Sequence, residues 1–129
     1  MLDTNNKTIA IVYRNKQKDY SFPKGHVEPG ESLIECSMRE TSEETKRNCI
    51  LLENNPIYVE KYISSRGEDT IMYYFLSKDT GPSDNDSLDT HDVYWIPFDE
   101  VEDILSYESL KKVWNTIKGK VEIYLNQDN

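Results

Sequence analysis

The chain has 129 residues, enough for one hydrophobic core and too few for two domains of ordinary size. Its 24 Asp and Glu against 15 Lys and Arg leave a formal charge of −9, which excludes the dominant basic face of a general DNA or RNA binder. Aromatic residues make up 11%, nine of them Tyr, which excludes a disordered chain and leaves a small, soluble, folded domain.

The start, Met1 to Lys7, is polar and lacks the apolar run of a secretory signal. No stretch approaches the roughly 20 apolar residues that span a bilayer. Thr8 to Tyr13 is a β-branched run of strand length, followed by a polar turn at Asn15 to Asp19. Tyr20 to Gly30 reads as loop, because Pro23, Gly25, Pro29 and Gly30 interrupt any long regular element. A helix is expected to start near Ser32, with Ile34, Ser37, Met38, Thr41 and Thr45 on a narrow stripe, and to stop near Asn48. Cys36 and Cys49 are too few for a disulfide framework, and read as buried thiols of a reducing, cytoplasmic setting. With only two histidines, neither spaced to a Cys, no Cys-based metal site is expected.

Further along, Ile57 to Ile63 and Thr70 to Leu76 read as two strands joined by a hairpin over Ser64 to Asp69. Residues 79–92 read as a polar loop at a site edge. Val93 to Ile96 is a short strand, and Asp99 with Glu102 has the spacing of a capping box. Leu110, Val113, Trp114, Ile117 and Val121 give the last helix an apolar face. There is no repeat or linker, so residues 1–129 are expected to form a single domain.

The chemistry concentrates between Gly25 and Arg47. A helix places Glu40, Glu43 and Glu44 on one side, at i, i+3 and i+4, where like charges repel. A divalent cation reverses the sign of that interaction, and hard oxygen donors in this number suit Mg²⁺, with Mn²⁺ able to substitute. Arg39 is placed to pin one carboxylate, and Lys24 to approach a phosphate chain. The competing reading is a solvated acidic helix face. Against it, Gly25, Glu31, Arg39, Glu40, Glu43 and Glu44 fix six positions at once, a coincidence expected less than about once in 10⁵ chains of this size.

These residues resemble the Nudix box, Gly-x5-Glu-x7-Arg-Glu-U-x-Glu-Glu-x-Gly-U, where U is bulky and aliphatic. Thr41 stands at the first U, Lys46 replaces the last Gly, and Arg47 replaces the last U. The resemblance implies an α/β fold, an α/β/α sandwich with a mixed sheet, and hydrolysis of a nucleoside diphosphate linked to another moiety. It implies that Glu40, Glu43 and Glu44 hold Mg²⁺, with the Gly25 carbonyl as a further ligand. Arg39 and Glu31 would orient the helix, and Glu43 or Glu40 would serve as general base. The family has two strands ahead of this loop, where residues 1–19 supply one; either a strand is lost or Leu2 to Thr4 contributes a fragment.

The run Phe22-Pro23-Lys24-Gly25-His26-Val27-Glu28-Pro29-Gly30-Glu31 is similar to the small dinucleoside (diadenosine) tetraphosphate hydrolases, as are the Thr70–Leu76 strand and Tyr94-Trp95-Ile96-Pro97. This implies a small-molecule nucleotide substrate, with Lys24 and His26 toward its phosphates and Tyr73 stacked on a base. Tyr62 and Tyr94 are weaker candidates for that stacking. Trp95 and Trp114 are assigned to the core, and Lys61 and Arg66 are further cations beside the cleft. No membrane partner is expected. The alternatives are pyrophosphohydrolysis of an mRNA cap or 5′-phosphorylated RNA end, against which the acidic charge weighs, and a non-catalytic nucleotide-binding sensor, which typically lacks box carboxylates.

Overall fold

The computed structural model describes residues 1–23, 30–84 and 91–127. Its hub is the β-branched run Thr8–Arg14 (β2), paired antiparallel from Thr8 to Tyr13 with Asp92–Pro97 (β8). With one edge of β2 filled by β8, two short strands share the other. Leu2–Asp3 (β1) pairs at Ile9 and Thr8, and Asp19–Ser21 (β3) at Val12 to Arg14. The sheet therefore forks. One branch continues from β1 to Ser77–Pro82 (β7), in parallel, and then antiparallel to Arg47–Leu51 (β4). The parallel step makes the sheet mixed.

Local chemistry explains both short strands. The Asp3 carboxylate accepts from the backbone N–H groups of Asn5 and Asn6, at 3.0 and 3.2 Å, and so turns the chain from β1 into β2. Leu2 is thus the fragment that completes the sheet. Residues 19–21, expected within the turn and loop, instead pair with β2, and Asp19 takes two bonds from the Arg14 guanidinium opposite it, at 2.7 and 2.6 Å.

The two faces of β2 bury different partners. Ile9 and Ile11 join the core cluster with Leu110, Val113, Trp114, Ile117 and Val121 of Glu108–Gln127 (α3). Each fully buried apolar side chain on that stripe contributes about 1.5–3 kcal/mol. Ala10 and Val12 are also buried but lie outside that cluster, which the pleat assigns to the opposite face. Arg14 shares their parity and lies near enough to Glu44 of Leu33–Thr45 (α1) to be influenced by its charge. α1 and α3 thus cover opposite faces.

Tyr58–Ile63 (β5) and Asp69–Tyr74 (β6) form a separate antiparallel hairpin, anchored to the core by the buried Met72 and Tyr74. After β8, a 3-10 turn at Phe98–Glu100 leads into Val101–Ile104 (α2). No helix among the described residues is long and apolar enough to cross a membrane.

Several expectations are corrected. Residues 77–82, partly assigned to a loop, are β7, and β4 was not foreseen. The Asp99/Glu102 capping box does not form: Pro97 precedes the 3-10 turn, Glu100 precedes α2, and neither contributes a side-chain cap bond. Met38 is exposed at 38%, because the buried face of α1 runs through Cys36, Thr41, Glu44 and Thr45. α1 ends at Lys46, not near Asn48, with Lys46 in the left-handed conformation and its N–H donating to the Ser42 carbonyl at 2.9 Å. Trp95 is only half-buried, with the Arg47 guanidinium 5.8 Å from its ring centre. Trp114, in contrast, is core, and Cys36 and Cys49 are buried free thiols as expected.

Candidate metal and nucleotide site

α1 begins where the sequence places it, and its start is fixed on both sides. The Ser32 hydroxyl accepts from the Glu35 N–H at 3.1 Å, while the Glu35 carboxylate accepts from the Ser32 N–H at 3.0 Å. Such reciprocal capping satisfies two of the orphan donors at a helix start. At the far end, the Ser83 N–H donates to the Lys46 carbonyl at 2.9 Å. The next residue, Arg47, forms a two-bond pair with Asp79 across β4 and β7, at 2.7 and 2.8 Å. Both ends of the acid-bearing helix are therefore held.

Between them, Arg39 gathers three of the expected residues. Its Nε and Nη2 donate to the two oxygens of Glu31, at 2.5 and 3.1 Å. Its Nη1 donates to Glu43 at 2.9 Å and lies 2.8 Å from a Glu40 oxygen. These bonds, that to Glu31 foremost, hold the guanidinium pKa above its ordinary value. The carboxylates are only 12%, 17% and 22% exposed for Glu31, Glu40 and Glu43, so this is not a freely solvated face. Three carboxylates around one guanidinium leave a local excess of negative charge.

Glu44 is placed differently. It is buried, its backbone carbonyl accepts from the His91 N–H at 2.8 Å, and its Oε1 lies 3.5 Å from His91 Nε2. Among the described residues, no three His, Cys, Asp or Glu side chains form a group able to hold a metal ion. Glu40, Glu43 and Glu44 are thus not gathered as a trio. One residue of helix turns the side chain by about 100°, and Arg39 supplies the countercharge for two of the three. The donors still suit a hard cation in kind, since Mg²⁺ keeps several waters and is bound through one or two carboxylates. Lys24, Gly25 and His26 lie outside the described residues.

Tyr73 and Tyr74 point to opposite sides of β6. Tyr74 is core: its ring meets Phe22 and Tyr58 edge-on, and its hydroxyl donates to Glu60 at 3.4 Å. Burial, reinforced by Glu60, pushes that hydroxyl's pKa up. Tyr73 is half-buried and lines a cavity of about 150 Å³ together with Glu40 of α1. Tyr62 and Tyr94 are exposed, and Tyr94 meets Tyr20 edge-on. Lys61 and Arg66 are exposed on the β5–β6 hairpin and its turn. The sequence reasoning missed His91, whose only signal is that it is one of two histidines. It also missed the part of Cys36 and Trp114 in the cavity wall.

A forked mixed sheet between two helices, one capped at both ends and carrying a charge-clustered Arg-Glu ridge, defines an α/β fold in which Glu40 of that ridge lines a cavity. The NUDIX domain family matches residues 1–115, and the chain belongs to that family. It is 31% identical over 107 residues to an 8-oxo-(d)GTP phosphatase of Mycolicibacterium smegmatis, covering 81% of this chain and 32% of that protein. It is 30% identical over 93 residues to the asymmetrical bis(5′-nucleosyl)-tetraphosphatase of Rattus norvegicus, covering 69% of this chain and 63% of that one. The chain thus spans less than two thirds of either relative. Among solved structures, a NUDIX hydrolase from Nitrosomonas europaea has a TM-score of 0.72 at 20% identity, over 89% of this chain and 82% of that one. A C. elegans Ap4A hydrolase has a TM-score of 0.68 at 20% identity, over 88% and 86%. These structural likenesses bear on the fold.

Proposed function

We propose that the chain hydrolyses a phosphoanhydride bond of a nucleoside polyphosphate, with dinucleoside polyphosphates of the diadenosine tetraphosphate type as substrate. The observation that carries this is the partly buried cluster of Glu31, Glu40 and Glu43 around Arg39, beside a cavity that Glu40 itself lines. The sequence likeness to a bis(5′-nucleosyl)-tetraphosphatase supports the substrate class. Likeness to an 8-oxo-(d)GTP phosphatase supports a second reading, a nucleoside triphosphate. A cytoplasmic setting is in keeping with the buried free thiols Cys36 and Cys49.

Glu40 and Glu43, the two carboxylates that share Arg39, would hold Mg²⁺ with the Gly25 carbonyl, and Glu44 would reach the ion through water. Once bound, such an ion would supply a lowered water pKa and offset charge on the phosphate oxygens. Glu43, or Glu40 if it faces the water, takes the proton released as water attacks phosphorus. Arg39, anchored by two bonds to Glu31, fixes both carboxylates in place. Lys24 and His26 contact the phosphates and Tyr73 a base. The chain carries a net charge of −9 and the Arg39 cluster an excess of carboxylates, so the divalent cation arriving with the substrate, joined by Lys24, would offset the charge of a polyanion.

The test is product analysis after incubation with Mg²⁺ and a panel of diadenosine polyphosphates, nucleoside triphosphates, sugar nucleotides and capped RNA. Diadenosine tetraphosphate should yield mononucleotides, and Glu43→Gln should cut kcat by about 10²–10⁴-fold with an unchanged Tm. Nucleotide binding without cleavage of any substrate would replace the hydrolase with a sensor.

A further inference from the structure

The β5–β6 hairpin is the least enclosed part of the fold. Among the described residues its two strands pair only with each other, and a two-stranded hairpin alone is at best marginally stable. One face supplies support. By the pleat, Tyr58, Glu60 and Tyr62 share that face with Thr70, Met72 and Tyr74, of which Met72 and Tyr74 are buried in the core. The other face carries Val59, Lys61 and Ile63 opposite Tyr73, Ile71 and Asp69. Val59 is 45% exposed, Ile71 48% and Ile63 70%, and they are diagonal neighbours across the pair. Exposed apolar residues gathered in this way and rimmed by charge mark a contact surface.

The turn holds that surface in shape. The Ser64 N–H donates to the Glu68 carbonyl at 2.8 Å, and the Gly67 N–H to the Ser64 carbonyl at 2.9 Å. The Ser64 hydroxyl accepts from the Arg66 and Glu68 N–H groups, each at 3.3 Å. Gly67, at φ 78°, takes the left-handed position without the penalty of a Cβ. A face fixed in advance loses little conformational freedom on association.

Its charges name the occupant. On a chain of net charge −9, this face bears one cation and one anion, Lys61 on β5 and Asp69 on β6, and Arg66 with Glu68 in the turn repeats the balance. Among the described residues neither Lys61 nor Asp69 is ion-paired. A polyanion or a basic peptide finds no excess of opposite charge here. A second copy of the chain does find a match, because a two-fold axis brings residue i against j and j against i, so that one Lys and one Asp pair twice. Two chains of −9 repel over most of their surfaces, and a neutral apolar face is where they approach at least cost.

We infer that this face is a weak homodimer interface. Two hairpins pack face to face about their tip halves, with Ile63 and Ile71 at the centre and Lys61 of each copy beside Asp69 of the other. Ile71 also lines the cavity, so the second copy comes to stand beside it. An interface of this size, on the order of 1,000 Å² in all, is at the lower limit of specific association, so the dimer forms at high micromolar concentration.

Sedimentation equilibrium of the whole chain tests this, in about 0.15 M salt, where exposed charges more than about 8 Å apart are screened. Between low micromolar and half-millimolar chain, the weight-average mass should rise from 15.1 kDa toward double and stop there. Ile63→Asp should lower the association constant at least about tenfold, with Tm unchanged because the side chain is exposed. Lys61→Glu and Asp69→Lys should each weaken association about threefold or more, and the two reversals combined in one chain should restore it. A mass of 15.1 kDa at every concentration, growth past the dimer, or association that neither Ile63→Asp nor the single reversals alter would overturn the inference. Every readout is taken without substrate, so the hydrolase reading stands or falls separately.

Discussion

Lys46 closes α1 with φ 55° and ψ 35°, a left-handed conformation that costs a residue with a Cβ roughly 1–2 kcal/mol. The Nudix pattern has Gly here. Lys46→Gly removes that strain, but it also frees the unfolded chain, which gives back about 0.4–1 kcal/mol. The Lys46 side chain is exposed, so little contact is lost with it. The net gain should be about 0.5–1 kcal/mol. With about 2.1 cal/mol/K of unfolding entropy per residue over 129 residues, Tm should rise by about 2–4 °C.

Thermal unfolding followed by circular dichroism, repeated as urea titration, measures the change. Lys46→Ala is the control, because it removes the side chain and keeps the Cβ, and it should bring no gain. The N–H bond to Ser42 and the carbonyl bond from Ser83 are backbone interactions that both variants retain. A rise in Lys46→Ala equal to that in Lys46→Gly would place the effect in the lysine side chain. An unchanged or lower Tm in Lys46→Gly would refute the strain argument outright.

Two further outcomes test the supports of the fold. Asp19 is buried and accepts from Arg14 twice and from Tyr107 Oη at 2.6 Å, so Asp19→Asn should destabilise by about 2–4 kcal/mol, read by urea unfolding, since Arg14 loses its countercharge. Glu53 accepts from Lys120 and Tyr124, and these bonds, that from Lys120 first, depress its pKa below the ordinary 4.5. Its contribution is therefore complete above pH 4.5 and lost as pH falls through the lower folded value. The stability gap between wild type and Glu53→Gln, about 0.5 kcal/mol at neutral pH because the pair is exposed, should close in acid; a gap that widens there would contradict this.

What was legible in the chain was local. The apolar face of α3 repeats at helical spacing, and Ser32 sits about two helical turns before Arg39, so both elements follow from neighbours in sequence. β7 was not legible because Ser-Lys-Asp-Thr-Gly-Pro has no strand composition; pairing with β4 and with Leu2 makes it a strand. β3 is three residues long and exists through its register with β2. Lys46 hid the helix exit for the opposite reason, since a residue with low left-handed preference occupies a position that the fold dictates.

The site divides the same way. Arg39 and Glu43 stand four residues apart on one helix, so helical geometry predicts their meeting, Glu40 joins them three residues before Glu43, and Glu31 reaches Arg39 from just before the cap. Glu44 is also local, yet its surroundings are not: His91 arrives from the start of β8, and Arg14 from β2. A carboxylate flanked by distant basic side chains does not show in the spacing that selects it. The cavity is less legible still, since Leu2, Phe22, Tyr73 and Trp114 come from four separated segments. Phosphate chemistry needs a few charges at fixed intervals and so leaves a motif, whereas recognition of a base needs a shaped apolar volume that many sequences can enclose. Under the proposed function, the same helix therefore announces the bond to be broken far more clearly than the molecule that carries it.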